Sequence, residues 1–450
     1  MSDYTIIEYF GEREGHFCGY CRGKTSNISY GMMAYALHPS DYKALMDRGW
    51  RRSGKYVYKP SYGKSCCAQY TIRSLAESFS PSKSQKKVLK KFIAYLKNDK
   101  KPCSKDENPS SIEKSEESPS INVLAMFQNC PMKDPPKLPV GPNPNLPLPI
   151  KAKKIRIQNK VSKGKIDTSS SKLFSSGTLK NSPKSLEHFV DEIKNLSDPI
   201  HKFETRLVPA YGQDPVFKST LVESHEIFRK YQMAVHHDLP EECTMIQFCR
   251  FLCSSSLIHK GGYGAYHLQY LLDGKIFCVG AVDILPDSVS SVYLYYDPDF
   301  GFLSPGTLSA LWELGLLRAK GFHASDELSY YYMGFYIHTC PKMRYKGHYS
   351  GSQLLCLESM NWFPFEDCIS KLDSLKYSRF DPNPDRKDND IPINYGNMLV
   401  LFRGEAMTME YILDKKFIPR VGNAMEYAKL VGKYLMERML LYRESEQDAK

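Results

Sequence analysis

Four cysteines near the N-terminus come in two pairs: Cys18 and Cys21 form a C-G-Y-C, and Cys66-Cys67 follows after 44 intervening residues. A C-x-x-C folds two thiolates toward one ion, with Gly19 easing the turn, and a second pair supplies the two further ligands a closed site requires. Adjacent cysteines must distort their backbone to share that ion, and His16 is the spare ligand. Four soft sulfurs accept Zn²⁺ or an iron-sulfur cluster; core packing or a redox pair is the competing reading. Cys243, Cys249 and Cys253 read as packing groups of a helix. Between the two pairs lies D-R-G-W-R-R-S-G-K-Y-V-Y-K-P (residues 47–60). Cations neutralise phosphates and rings stack on unpaired bases, the chemistry by which RNA ends and loops are held. Arg48, Trp50, Arg51, Arg52, Lys55 and Tyr58 are the candidate contacts. A run of seven lysines over residues 83–100, Lys86 and Lys90 among them, alternates with Val88, Leu89, Phe92, Ile93 and Leu96. It predicts a basic amphipathic helix whose outer face meets phosphate or plain solvent.

The chain that must position these groups has 450 residues, 42% apolar and 25% charged, globular values that exclude a wholly disordered or multi-span membrane protein. The first fourteen residues are acidic and carry no secretory pattern, so the thirteen cysteines are expected reduced, in cytoplasm or nucleus. The net charge of +11 is uneven: residues 1–100 hold 18 Lys/Arg against 8 Asp/Glu, residues 201–450 hold 27 against 31. A polyanionic partner is expected for the first part. Residues 101–150 contain 11 of the 28 prolines, and residues 101–180 only two of the 56 aromatics, too little to offset chain entropy. Three segments follow: a basic, cysteine-bearing unit over 1–100, a disordered linker or insertion over 101–185, and a second folded unit over 186–450. In that second unit, residues 219–236 and 244–253 read as helices. GYGAYHLQYLL and KIFCVGAVDIL flank Asp273-Gly274 as a hairpin, and SVYLYYDP is a third strand. A helix bounded by Pro305 and Gly321 follows, then a fourth strand, YYYMGFYIHTC. The fold class is α+β, an antiparallel sheet with a helix on one face, and a C-terminal helix is predicted over 423–443.

C-G-Y-C, the segment over 47–60, and C-C-A-Q-Y-T-I-R together resemble the N-terminal part of eukaryotic arginyl-tRNA-protein transferases. K-Y-Q-M-A-V-H-H-D, Q-F-C-R-F-L-C, G-Y-G-A-Y-H-L-Q-Y-L-L-D-G-K, V-D-I-L-P and Y-Y-Y-M-G-F-Y-I-H-T-C-P-K-M-R-Y-K-G resemble the rest, so the likeness covers about residues 10–100 and 219–380. The resemblance implies transfer of arginine from Arg-tRNA to the N-terminal α-amine of proteins that begin with Asp, Glu or oxidised Cys, marking them for ubiquitin-proteasome degradation by the N-degron route. It also implies zinc or an iron-sulfur cluster on Cys18, Cys21, Cys66 and Cys67, and a second unit similar to GNAT acyltransferases. P-D-F-G-F-L-S-P-G-T-L departs from the GNAT pyrophosphate loop, so acetyl-CoA is not the expected donor. Proteins with acidic N-termini are the expected partners besides the tRNA, with no membrane and a monomeric state.

An α-amine with a pKa near 8 is already partly neutral at pH 7, so attack on an aminoacyl ester asks for positioning and oxyanion stabilisation more than for a strong base. The acceptor's carboxylate wants a cation, for which Lys342, Arg344, Lys346 and His236 are candidates. The donor's guanidinium wants a carboxylate, Asp283 or Asp297. The oxyanion wants backbone groups near Gly262–Gly264 or a hydroxyl from Tyr263 or Tyr331. His236, Tyr263, Asp283 and Tyr331 thus form the expected catalytic set, and removing Lys346 or Asp283 is expected to cut transfer without unfolding. The competing functions are a metal-stabilised RNA-binding adaptor without catalysis, a thiol hydrolase using His236 or His267, and an enzyme that moves leucine instead.

Overall fold

Asp273 and Gly274 both take positive φ, +52° and +81°, as a two-residue type I′ turn demands. A computed structural model, which describes residues 4–101, 184–210, 213–322, 327–417 and 422–443, places this turn between β7 (Gly264–Leu272) and β8 (Lys275–Leu285). The two strands belong to an eight-stranded sheet. Its order is β12 (Trp362–Pro364), β11 (Ser352–Leu355), β5 (Tyr70–Leu75), β10 (Tyr330–Tyr336), β9 (Ser288–Tyr296), β8, β7 and β6 (Phe203–Pro209). A seven-stranded sheet has the order β14 (Glu405–Thr408), β13 (Leu399–Phe402), β15 (Leu440–Arg443), β1 (Ile6–His16), β2 (Asn27–Ala36), β4 (Tyr56–Pro60), β3 (Arg51–Ser53).

Both sheets therefore mix N-terminal with C-terminal strands, and residues 1–102 and 185–450 form one compact unit. The expected linker lies, from residue 102 to 183, outside the described residues.

The helices follow their sequence signals. α1 (Pro39–Met46) starts with proline in its first turn. α2 (Lys83–Asn98), the lysine helix, opens on a capping box in which Ser82 and Gln85 bond each other's backbone N–H. α3 spans Leu186–Lys194, and α4 Pro215–Tyr231, which runs on as a π turn, Gln232–His236. The expected helix over 244–253 is likewise an α turn, Met245–Phe248, followed by a π turn, Cys249–Cys253. α5 (Pro305–Arg318) connects β9 to β10. A crossover helix delivers the next strand in the same direction, so β9 and β10 are parallel where an antiparallel sheet was expected.

The predicted C-terminal helix is also corrected. α6 (Ala424–Val431) ends at Gly432, where φ is +86°. A short turn, Lys433–Met436, follows, and residues 440–443 are not helical but pair in parallel with β1 and β13. A Cβ at Gly432 would stand 2.2 Å from Asp390 Oδ2 and 2.8 Å from the Arg48 guanidinium carbon. Gly432→Ala is therefore expected to cost about 2–3 kcal/mol, from left-handed backbone strain plus the displaced ion pair, read from urea unfolding.

One core lies between the eight-stranded sheet and the helices α2, α3 and α5, with Leu89, Phe92, Phe189, Trp312, Leu268 and Tyr331 at its centre. A second lies between the two sheets, where Trp50, Val57, Tyr332, Ala265, Val400 and Tyr427 meet. Among the described residues no helix is long and apolar enough to cross a membrane.

Candidate active site and metal centre

The loop after β1 turns back on itself, Cys18 N–H donating to the Gly23 carbonyl and Arg22 N–H to that of Cys18. The Cys66 N–H donates to Ser26 in the same loop, which draws the second pair against the first. The four sulfurs of Cys18, Cys21, Cys66 and Cys67 consequently lie within 4.8 Å of one another, with Cys18–Cys67 at 3.9 Å and Cys21–Cys66 at 3.4 Å. The Cys21 thiol, which the Gly23 backbone and Cys66 help, is brought down to about 6, whereas burial pushes Cys66 and Cys67 up. A tetrahedral ion with metal–sulfur bonds of about 2.3 Å sets its ligands roughly 3.8 Å apart, so the four thiols fit one metal ion. Cys18 and Cys67 pack on Ile337 and Cys340, just past the end of β10.

That end of β10 is where the larger sheet opens. β9 and β10 pair only at Ser288–Tyr330, Val289–Tyr331 and Ser290–Tyr332, although β9 continues to Tyr296 and β10 to Tyr336. Both strands carry irregularities beyond the last pair: β9 slips register against β8 between Ser291 and Tyr293, and β10 against β5 between Tyr332 and Phe335. An extra residue bends a strand away from its neighbour, so the two diverge and leave a gap. Carbonyls of β10 in this stretch accept from side chains: Gly334 from Arg51 (3.3 Å) and Phe335 from Lys346 Nζ (3.0 Å). The Arg51 guanidinium also lies over the rings of Tyr332 and Phe335. Burial lowers the pKa of Arg51, and burial together with Arg51 brings Lys346 down to about 7. Neither cation forms an ion pair with a carboxylate among the described residues, and Arg51 Nε is buried with no hydrogen-bond partner. An anion entering the gap would supply what these two groups lack.

Two stretches of the chain match known families: residues 16–87 match the arginine-tRNA-protein transferase N terminus, and residues 223–356 its C terminus. An arginyl-tRNA–protein transferase 1 of Drosophila melanogaster is 34% identical over 97% of this chain and 99% of its own length. The chain belongs to the arginyl-tRNA–protein transferase family. It is therefore an aminoacyltransferase. The enzyme of the same name from Arabidopsis thaliana is 31% identical over 83% of this chain and 75% of its own. An aspartate/glutamate leucyltransferase of Campylobacter jejuni is 34% identical over 20% of this chain and 35% of its own.

Within this family member the structure distributes the sequence-predicted residues over several places. His236 and Lys342 come together at one side of the gap. The His236 ring lies near Tyr293 (3.3 Å to its hydroxyl) and Tyr231, and burial first, then the Lys342 charge, lowers its pKa. Lys346 stands deeper, and Arg344 Nε donates to the His338 carbonyl. Tyr331, by contrast, is buried beneath the sheet, its hydroxyl on Glu313 at 2.6 Å. Asp283 is fully buried on the opposite face, where it grips the Arg52 guanidinium (Nε to Oδ2, 2.8 Å). Asp283 and Tyr331 occupy neighbouring rows of the sheet, Asp283–Ser290–Tyr332 and Ile284–Val289–Tyr331, and neighbouring rows face opposite ways. They do not share a site. Asp297 caps the turn over Pro298–Leu303 and pairs with Lys230. Tyr263 forms a small bridge with Lys260 before β7.

The basic segment is mostly interior. Trp50 is 0% and Arg48 6% exposed; Arg48 binds Asp388 and Asp390, and Arg52 binds Asp283. The reason is tertiary: β3, the edge strand of the smaller sheet, and β4 beside it pack against the larger sheet. Lys55 and Lys90 remain exposed, Tyr58 and Lys86 partly so. The sequence reading missed Glu313, Tyr270 and Ser291. The signal for Glu313 was available, since α5 is apolar on nearly every side, and a helix of that kind is buried together with any lone acid it carries.

Proposed function

We propose that the chain transfers arginine from Arg-tRNA to the N-terminal α-amine of proteins whose first residue is Asp, Glu or oxidised Cys, marking them for N-degron-dependent degradation in the cytoplasm and nucleus. The observation that carries the acidic preference is the pair Arg51 and Lys346, two cations at the opening between β9 and β10 with no carboxylate partner among the described residues. Lys342 extends the same positive rim, and the His236 ring, held neutral by burial and by the Lys342 charge, stands beside it as a hydrogen-bonding group. A side-chain carboxylate held by these groups leaves the adjacent α-amine in the gap, where attack on the ester needs little beyond orientation. The lysine face of α2 and Lys55 are the exposed groups suited to tRNA phosphates, in place of the interior Arg48, Trp50 and Arg52. The four thiols hold zinc on this reading, because a cluster of several irons spreads its sulfur ligands farther apart than they lie here. Zinc there braces the loops that carry Cys18 and Cys67, and through Ile337 and Cys340 the end of β10.

The test is transfer of labelled arginine from charged tRNA to peptides that differ at the first residue. Asp and Glu peptides are expected to react about 10²-fold faster than Asn and Gln peptides, since a site built for a charged partner is left unpaired by its neutral analogue. An acetylated Asp peptide should take no label. Lys346→Met should erase most of the preference. Equal rates with Asp and Asn would refute the acidic reading, and transfer of leucine in place of arginine would refute the donor.

A further inference from the structure

Glu313 stands midway along α5 with its side chain wholly buried, and the reading above gives it no task. Its carboxyl accepts from the hydroxyls of Tyr331 (2.6 Å) and Tyr270 (3.1 Å), and Ser291, paired with Val282 of β8, lies on the same face of the sheet beside them. β8 carries a glycine where the carboxyl approaches it: a Cβ at Gly280 would lie 2.9 Å from Oε1. Removing a carboxylate from water costs several kcal/mol, a cost an aliphatic side chain in this place would not incur.

The placement suggests what the group is for. Ser291 is the first residue of β9 beyond the last pair with β10, and it is partly exposed. It thus stands at the apex of the gap, on the face of the sheet that α5 covers. The groups that face Glu313 are Tyr270 from β7, Cys278 and Gly280 from β8, Ser291 from β9, Tyr331 from β10, and Tyr345 and Tyr349 from the segment after β10. None of these is a cation. Burial raises the carboxyl to about 7, against the opposing pull of its hydroxyl donors, so it can both take and release a proton near neutrality.

We propose that Glu313 is a proton-relay residue for the transfer, acting on the gap through the Ser291 hydroxyl. The proposal rests on the arginyl-transfer reading. The acceptor's α-ammonium gives one proton, by way of Ser291, to the Glu313 carboxylate. The neutral amine then attacks the ester carbonyl carbon; the C–N bond forms, the bond from that carbon to the ribose oxygen breaks, and the nitrogen's surplus proton goes to the departing oxygen, which leaves as a hydroxyl. Glu313 afterwards returns its proton to solvent, so ammonium and ester yield amide, alcohol and one released proton.

The experiment is the pH profile of kcat for labelled arginine transfer to an Asp peptide. In the native chain kcat is expected to rise through about pH 7 as the carboxylate forms. Glu313→Gln, which keeps the shape and a hydroxyl acceptor, should lose that limb and about 10² in kcat at pH 7, with peptide KM within twofold. Ser291→Ala should give the same loss at unchanged melting temperature, and Ser291→Thr should restore the limb. A native profile in Glu313→Gln overturns the proposal. Should Glu313→Gln fail to fold, a native profile in Ser291→Ala overturns it equally. Absence of transfer by the native chain would instead refute the arginyl-transfer reading, and this proposal with it.

Discussion

Asp283→Ala is expected to unfold the protein more than it disarms it. The carboxylate is 0% exposed and its Arg52 partner 7% at the side chain. Removing one member of such a pair leaves the other charge buried without compensation, which costs about 3–5 kcal/mol. The pair joins β8 of the larger sheet to β3 of the smaller, so the loss falls on the packing of one sheet against the other. Arg52→Leu should cost a similar amount. The double variant Arg52→Leu/Asp283→Leu should recover about half or more of either single loss, because two apolar groups replace two desolvated ions. Urea unfolding of the three variants checks the cycle. The sequence alone offers Asp283, or Asp297, to the donor's guanidinium, with the expectation that removing Asp283 spares the fold. A guanidinium does sit on it, but one from the chain itself. An Asp283→Ala protein with native stability and no transfer would return this residue to the donor site.

The interior placement of Asp283 and of the basic segment was not legible in the sequence, for one reason. Arg52 and its acid are 231 residues apart, Arg48 and Asp388 are 340 apart, and no local pattern links them. Read along the chain, Arg48-Gly49-Trp50-Arg51-Arg52 is a cluster of unneutralised cations around a ring; folded, Arg48 meets Asp388 and Asp390, Arg51 lies over the rings of Tyr332 and Phe335, and Arg52 meets Asp283. The features that local chemistry decides were legible: the Asp273-Gly274 turn, the helix begun by Pro305, the lysine helix with its Ser82–Gln85 cap, and the cysteine pairs. The C-terminal helix failed because apolar spacing over 423–443 ran through Gly432, a residue that punctuates a helix whatever surrounds it. The gap between β9 and β10 was out of reach for a further reason. A bulge is a mismatch between two strands, and the strands involved, β5, β8, β9 and β10, come from positions as far apart as 70 and 336.

The metal site carries the other large effect. Cys67→Ser is expected to reduce bound metal from about one equivalent per chain to below ~0.1, since a structural site missing one of four ligands is no longer closed. Apparent binding free energies of about 10–16 kcal/mol in small zinc domains set the scale of what the fold would lose. Here the loss is local, because the large cores are built without the thiols. The residues that feel it are Ile337, Cys340 and Met343, which pack on Cys18 and Cys67. They join β10 to the segment bearing Lys342 and Lys346, so a metal-free chain should keep its two cores and lose the alignment of the cations that meet the acceptor. Transfer is then expected to fall by at least 10²-fold, with peptide KM rising, the scale on which even the outer supports of a metal site act, while the main urea transition moves little. Cys249→Ser, a cysteine outside the cluster, should change neither metal content nor rate. Metal analysis, the transfer assay and urea unfolding on the same preparations decide the matter. Full metal retention after both Cys66 and Cys67 are replaced would show that the four thiols are packing groups, and native transfer by a chain stripped of metal would show that the ion does not align the gap.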